Sequence, residues 1–173
     1  MFRILKPEPD EHLPYYGKYI ALVGDDAMAA LRAQAAATPR LLSGVNESRA
    51  MFRYAPGKWS VKEVLGHVID GERVFGHRAL RFAREDPTPL PGFDENTWVP
   101  AARFDRRPLP DLVADYVAVR AATLALFASF DEATLIRRGI ANGAEVSVRA
   151  LAHIIAGHEL HHVSLLKERY GLA

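Results

Sequence analysis

Cysteine is absent from this chain of 173 residues. Its absence excludes disulfide bonds, thiolate metal ligands and a cysteine nucleophile. Any metal ion that the chain binds must therefore be held by nitrogen and oxygen atoms. Seven histidines are available as nitrogen donors, and four of them lie between Val146 and Tyr170.

A strong charge of either sign and a long apolar run are also lacking. The net charge is +1, with acidic and basic residues interspersed, so the sequence gives no sign of a nucleic-acid or acidic-membrane partner. No apolar run approaches the roughly 20 residues of a membrane span. The N-terminal stretch MFRILKPEPDEHL has no apolar core followed by a small-residue cleavage site. We therefore expect a cytoplasmic protein whose partner is a small-molecule substrate.

Two common catalytic motifs are missing as well. The sequence contains no glycine-rich phosphate loop and no G-x-S-x-G elbow. Ser164 lies near the histidines, but nothing places it opposite a general base, so it makes no case for a triad. Asp94 and Glu95 are interpreted as solvated turn residues.

Helical signals dominate what is present. Ser60 and Glu63 form a capping box, and Ser147 is predicted to cap the last helix. Strand signals are almost absent, apart from a small hairpin predicted at the Asn142-Gly143 turn. We predict an all-α fold, a four-helix bundle, with helices at about residues 25–38, 60–85, 108–129 and 147–170.

A long proline-rich connection, residues 86–108, joins the second and third helices. Structureless connections of this length are uncommon in compact domains, and the aromatic residues Phe93, Trp98 and Phe104 indicate that this one packs in part against the bundle. Residues 1–24 are expected to wrap around the outside of a single domain that spans residues 1–173.

The last predicted helix presents a pair of histidines, His158 and His162, spaced four residues apart. This spacing puts both imidazoles on one helix face, about one turn apart and close enough to hold one metal ion. The same face carries Leu151, Ile155 and Leu165, so the pair should point into the core. An unsatisfied polar group there costs about 1–3 kcal/mol, so the rings need either a metal ion or hydrogen bonds.

A third ligand is sought on a facing helix, and His67 is the best placed. Its helix face also carries Glu63, Asp70 and Arg78, a mixture that suits the wall of a cleft. Asp70 or Glu63 could act as a fourth ligand or orient a ligand through its second nitrogen. Arg78 is either a receptor for an anionic substrate or a salt-bridge partner. The remaining histidines are interpreted as surface or supporting residues: His12, His77, His153 and His161.

Two segments together resemble the DinB-like superfamily: WSVKEVLGH, residues 59–67, and GHELHH, residues 157–162. Members of that superfamily are four-helix bundles with a metal bound by one histidine on the second helix and two on the last. The resemblance covers about residues 25–170 and implies that His67, His158 and His162 are the metal ligands. Some relatives have an extra histidine four residues before the final pair; here His153 is five residues before His158, so that role is not transferred.

The resemblance also implies a range of activities. Some members are thiol-dependent transferases or isomerases that use mycothiol, bacillithiol or glutathione, and others are described as metal-dependent hydrolases. Dimers are common in the family, and Leu160 and Val163, on the outer side of the last helix, leave room for a homodimer.

Two functional hypotheses follow. In the first, the three-histidine site holds zinc or nickel, or alternatively iron or manganese, and activates water or a low-molecular-weight thiol cosubstrate, with Trp98 in the loop that covers the cleft. In the second, the protein is a stress-related bundle that binds a metal or a small ligand without catalysis, and a fourth protein ligand such as Asp70 closes the site. A purely structural bundle with hydrogen-bonded histidines is the remaining alternative.

Overall fold

Helices make up most of the computed structural model, which describes residues 2–173 and so leaves Met1, the start of the predicted N-terminal segment, outside. In chain order they are α1 (Gly17–Ile20), α2 (Ala27–Leu42), α3 (Glu47–Ala50), α4 (Val61–Ala83), α5 (Glu95–Ala102), α6 (Leu109–Ala128), α7 (Glu132–Leu135) and α8 (Val148–Glu168).

The four long helices α2, α4, α6 and α8 form a four-helix bundle, which confirms the predicted fold class. Each packs against two neighbours, in the order α2, α6, α4, α8 around the bundle. Helix α4 therefore lies between α6 and α8. Ridges of side chains on neighbouring helices interdigitate in such bundles, so ligands projecting inward from facing helices can meet in the core.

Side-chain caps fix where the two histidine-bearing helices begin. Ser60 Oγ accepts a hydrogen bond from the backbone N–H of Glu63 at 3.1 Å, and the Glu63 carboxylate accepts one from the N–H of Ser60 at 2.9 Å. Ser147 Oγ accepts from the N–H of Ala150 at 3.0 Å. The predicted capping box and Ser147 cap are both present. These caps satisfy donors that a helix start leaves open.

Helix α2 differs from its predicted bounds at both ends. Asp26, rather than Asp25, caps it by accepting from the N–H of Met28 at 3.0 Å. The helix also continues past Pro39 to Leu42. Asp26 is selected because its carboxylate also accepts from the N–H of Ile4 at 3.0 Å, a long-range contact that local sequence does not reveal.

The connection between α4 and α6 is partly packed, as predicted. It contains α5 and a 3₁₀ turn at Phe104–Arg106. The Phe104 ring is buried against Gly66 of α4, where a Cβ atom would overlap it. Phe93 is half-buried, whereas Trp98 remains 43% exposed.

A two-stranded hairpin precedes α8, at the place where the Asn-Gly turn predicted one. Its strands are β1 (Arg138–Ala141) and β2 (Ala144–Ser147). Asn142 and Gly143 both have positive φ, 52° and 77°, as a tight hairpin turn requires. Leu90 joins the connection to this hairpin, because its N–H donates to the carbonyl of Ile140 at 2.9 Å and its carbonyl accepts from the N–H of Asn142 at 2.9 Å.

The N-terminal segment contributes to the core instead of only wrapping around it. Ile4, Ile20 and Val23 are buried, and α1 packs along α8. The contact is close because Gly157 has no side chain; a Cβ atom there would overlap the backbone of Tyr19.

Two surface features bear on the predicted surroundings of the protein. Within residues 2–173, no helix is long and apolar enough to cross a membrane. Leu160 and Val163, which were expected to leave room for a partner, are half-buried within the chain, and Leu160 packs against the core. The homodimer stays a prediction.

A buried ionic network joins all four long helices. Arg120 of α6 donates two hydrogen bonds of 2.9 Å to the carboxylate of Glu72 on α4 and also binds Glu159 on α8. Glu159 accepts from Thr38 of α2 at 2.5 Å and from Tyr116 at 2.6 Å. Burial alone would lower the pKa of Arg120, but the hydrogen bond to Glu72 and the two carboxylate charges outweigh it and raise that pKa.

Replacing Arg120 with Met should lower the free energy of unfolding by about 3–5 kcal/mol, because two buried carboxylates lose their cation. The measurement is urea denaturation of the metal-free protein. The matched control is Arg107→Met: Arg107 pairs with Asp115 at 2.7 Å on the surface, and its loss should cost about 0–1 kcal/mol. Equal losses of unfolding free energy in the two variants would contradict a stabilising role of the buried Arg120 network.

His153 is fully buried, so its interpretation as a surface or supporting residue is wrong. His153 points away from His158 and His162 on α8, and the N-terminal segment covers that side of the helix as well. The Nδ1 atom of His153 lies 3.1 Å from the carbonyl of Arg149, and its Nε2 atom has no hydrogen-bond partner among residues 2–173. Burial lowers the pKa of His153 from 6.5 to about 4, and the charge of Lys6 acts in the same direction.

This shift predicts a specific acid sensitivity. Between pH 6.5 and about 4, the unfolded chain binds a proton at His153 that the folded chain does not, so stability falls as the pH falls through that window. The variant His153→Leu should show a shallower dependence, by up to about 1.4 kcal/mol per pH unit, in denaturant titrations at several pH values. Exposed His77 provides the control, since His77→Leu should follow the wild-type curve. The same pH dependence of stability in all three proteins would count against a lowered pKa of His153.

Candidate metal centre

Three histidine side chains meet between α4 and α8. His67 projects from the second turn of α4, and His158 and His162 project from successive turns of α8. The Nε2 atom of His158 lies 2.9 Å from that of His67 and 3.1 Å from that of His162. All three rings are buried, with 7–8% of their surface exposed. The structure thus brings together the three residues that the spacing and the resemblance selected.

Hydrogen bonding among the three rings does not satisfy them. A neutral imidazole has one N–H and one lone pair, and the single Nε2 atom of His158 faces both other rings. That atom carries either one N–H or one lone pair, so it makes a well-directed hydrogen bond to only one of the two rings, and the other close approach stays unsatisfied. A cation placed among three Nε2 lone pairs removes this conflict. The buried three-histidine group therefore fits the binding of a divalent metal ion.

The surroundings keep the rings in the form that binds metals. Burial lowers the pKa of His67 to about 4 and that of His162 to about 3. Burial, with the neighbouring histidines acting in the same direction, holds the pKa of His158 well below its usual value. All three are therefore neutral at pH 7, and neutral imidazole is the ligating form.

Aromatic rings and glycines fix the orientation of the histidines. Trp59 packs on His67 with ring centroids 4.9 Å apart, and Tyr19 lies edge-on to His158 at 5.5 Å. Gly71 of α4 faces the His158 ring, and a Cβ atom at that position would lie 3.1 Å from His158 Cε1. The absence of a side chain at Gly71 therefore lets the two helices approach closely enough for their ligands to meet.

A cavity of about 210 Å³ opens beside His67 and His158. Its aromatic walls come from Tyr16 and Tyr19 of the N-terminal segment, Phe75 of α4 and Phe93 of the connection. A second cavity, of about 260 Å³, is lined by His162 and in part by Lys58, Trp59 and Asn96. Each of the three histidines thus borders a cavity.

Glu95 is the acidic residue that lines the cavity of about 210 Å³ beside His67 and His158. Burial lowers the pKa of His67, and the negative charge of Glu95 offsets part of that effect. The interpretation of Glu95 as a solvated turn residue is therefore wrong. Asp94 is the residue with the turn role, since its carboxylate caps α5 by accepting from the N–H of Asn96 at 2.9 Å. No local signal distinguished the two, because Glu95 reaches the cavity only through the docking of the connection on the hairpin.

The two acidic residues predicted to support the metal lie elsewhere. Glu63 completes the capping box of α4 and pairs with Arg53. Asp70 lies 3.5 Å from Arg73 on the same helix, and burial raises its pKa. Neither belongs to the group of potential ligand atoms. Helical periodicity predicts which residues of α4 share a face, but not which neighbouring residues pack against that face.

The predicted substrate-binding residues, Arg78 and Trp98, both line a further cavity, of about 320 Å³. Arg78 is 3% exposed and lines the cavity of about 210 Å³. Trp98 does not line that cavity; it packs on Phe93, with ring centroids 4.9 Å apart, and so supports one of the cavity walls. His161 lies beside His162, with ring centroids 5.1 Å apart, and is half-buried.

Comparison with known proteins agrees with this architecture. The family model described as the DinB superfamily matches residues 30–166. A protein of Geobacillus kaustophilus named "Putative metal-dependent hydrolase GK0616" is 27% identical over 149 residues, which cover 83% of this chain and 84% of that protein. The solved structure of YfiT from Bacillus subtilis, described as a probable metal-dependent hydrolase with an unusual four-helix bundle topology, aligns with a TM-score of 0.70. That alignment covers 97% of this chain and 94% of YfiT at 16% identity.

Proposed function

This chain belongs to the DinB superfamily, and on that premise we propose that it is a divalent-metal-dependent enzyme of the hydrolase type that acts on a small molecule. The observation that supports the proposal is the convergence of three buried, neutral Nε2 atoms on one point. Three protein ligands are typical of catalytic zinc sites, whereas structural sites usually have four. Imidazole ligands favour zinc or nickel and also accommodate iron or manganese. The names of the two relatives point to the same reaction class.

His67, His158 and His162 would hold a divalent ion, which would supply Lewis-acid chemistry of the kind that makes water or a thiol nucleophilic at neutral pH and polarises a carbonyl group. The protein supplies the rest. Five aromatic rings line the cavity, and they lower the local dielectric constant relative to bulk water, which strengthens electrostatic interactions there. Glu95, at the same cavity, is the acidic group positioned to accept a proton from the nucleophile and return it to the leaving group.

The second cavity favours a variant of this proposal with two substrates. Because the chain has no cysteine, a thiol-dependent transferase would need a low-molecular-weight thiol from solution. The cavity beside His162 is of a size to admit one, while the other substrate occupies the cavity beside His158. A non-catalytic binding bundle is less well supported, since it requires a fourth protein ligand and Asp70 is paired with Arg73.

Metal analysis of the purified, untagged protein is the first test. We expect about one divalent ion per chain, lost in both His67→Ala and His158→Ala, because each removes one of three ligands. His77→Ala, on an exposed position of α4, should retain the ion. A protein that contains no metal, and takes up neither zinc nor nickel, would rule out the proposal.

The role of Glu95 is tested by the isosteric variant Glu95→Gln in a panel of esters, amides and thiol–electrophile pairs. We expect turnover to fall by about 10²–10⁴-fold with the metal content unchanged. Glu132→Gln is the matched control, since Glu132 also follows an Asp cap at the first position of a helix but is exposed. Full turnover in Glu95→Gln would remove Glu95 from the mechanism, and no turnover of any substrate by the metal-loaded wild type would remove catalysis itself.

A further inference from the structure

Arg78 is the exception among the buried ionic side chains of the chain. Buried charges are normally paired, since an unpaired one has lost its hydration without compensation. Six lysine, arginine, aspartate and glutamate side chains are buried, and five of them form ion pairs within residues 2–173: Glu11, Lys62, Glu72, Arg120 and Glu159. Arg78 is 3% exposed, yet no carboxylate of the described residues lies within 4.0 Å of it.

The guanidinium group of Arg78 is held in place but makes few hydrogen bonds within residues 2–173. It donates one hydrogen bond, of 2.7 Å, to the carbonyl of Pro91, and its central carbon lies 5.6 Å from the centre of the Phe75 ring. Arginine has five N–H donors in a rigid planar fork. Glu145 lines a small cavity that also touches Arg78, but its carboxylate is bound to Arg138 at 2.9 Å. Residues 2–173 thus hold Arg78 in place and leave most of its N–H donors without a partner.

Arg78 lines three cavities, and one of them is shared with the metal centre. The cavity of about 210 Å³ is lined by Arg78 as well as by His67 and His158. The Phe75 ring lies between the two parts of the site, with its centre 6.1 Å from that of His158 and 5.6 Å from the guanidinium carbon of Arg78. A small molecule in this cavity can therefore contact the metal centre with one group and Arg78 with another, along a single aromatic wall.

We propose that Arg78 binds the carboxylate of a small substrate whose body is aromatic or apolar. The inference deepens the proposed function, on which it rests for the identity of the neighbouring site. A planar carboxylate matches the arginine fork with two parallel hydrogen bonds. The walls formed by Tyr16, Phe75 and Phe93 suit an apolar body. A dianionic phosphate fits less well, because Glu95 adds a negative charge to the same cavity. The volume is below the roughly 300–1,000 Å³ of drug-sized sites, which limits the substrate to a small molecule.

The test is calorimetric titration of the metal-loaded protein with sodium benzoate, its neutral analogue benzamide and inorganic phosphate. Benzoate should bind the wild type at least about tenfold more tightly than benzamide, and Arg78→Gln should weaken benzoate binding by about ten- to a hundredfold. Benzamide binding should change little. Arg84→Gln is the matched control, because Arg84 is exposed at the end of the same helix and should leave all three titrations unchanged.

Repeating the titrations after chelation separates Arg78 from the metal. Benzoate affinity that is lost with the metal and insensitive to Arg78→Gln would overturn the inference, because the carboxylate would then be bound by the ion. Tighter binding of phosphate than of benzoate would overturn the carboxylate class. If Arg78→Gln does not fold, the wild-type comparison of benzoate with benzamide decides alone, and equal affinities overturn the inference.

Failure of this inference is distinguishable from failure of the proposed function. Arg78-dependent benzoate binding without turnover of any substrate would leave the anion site and remove the catalytic proposal. Turnover of neutral esters, together with benzoate binding that Arg78→Gln does not change, would leave the catalytic proposal and remove the anion site.

Discussion

The buried Arg120 network is the constraint on which the geometry of the metal centre depends. Arg120 binds Glu72 and Glu159, and each of these is next in sequence to a residue of the metal centre: Gly71, against which the His158 ring packs, and His158 itself. Adjacent residues of a helix point about 100° apart, so the network and the histidines lie on different sides of the same helix pair. When Arg120 holds the two carboxylates, it therefore also fixes how α4 and α8 are rotated about their axes and shifted along them, and so where the histidines lie.

The cavity beside the histidines brings positive, negative and neutral polar groups together in a small space that is partly walled by aromatic rings. Arg78 is positive, Glu95 is negative, and the histidines are neutral because burial lowers their pKa values. Helix α4, the connection and the N-terminal segment each contribute walls. Such an arrangement can orient a polar molecule along the cavity, because its anionic and reacting groups face different partners.

The parts of this site that follow from local sequence were predictable. The i, i+4 spacing of His158 and His162, the capping box at Ser60 and the Asn-Gly turn each depend on residues close in the chain. What could not be predicted depends on tertiary packing. His153 is buried because the N-terminal segment packs on the far side of α8, and Glu95 reaches the cavity because Leu90 pairs with the hairpin. Asp70 and Glu63 share a helix face with His67, yet their carboxylates pair with Arg73 and Arg53 and not with the histidines.

The adjacency of network and ligand residues has a consequence for how such a chain can change in length. A single residue inserted into α8 before His158 would turn both the histidines and Glu159 by about 100° relative to the first turns of the helix, and either the metal centre or the ionic network would lose its partners. The connection at residues 86–94 and the hairpin tip contribute no histidine and no member of the ionic network, so an insertion there would leave both in place and would reshape only the cavity wall. Divergence among relatives should therefore accumulate as insertions at these surface positions, which border the cavity, so that the space around the metal can vary while the metal centre stays in place.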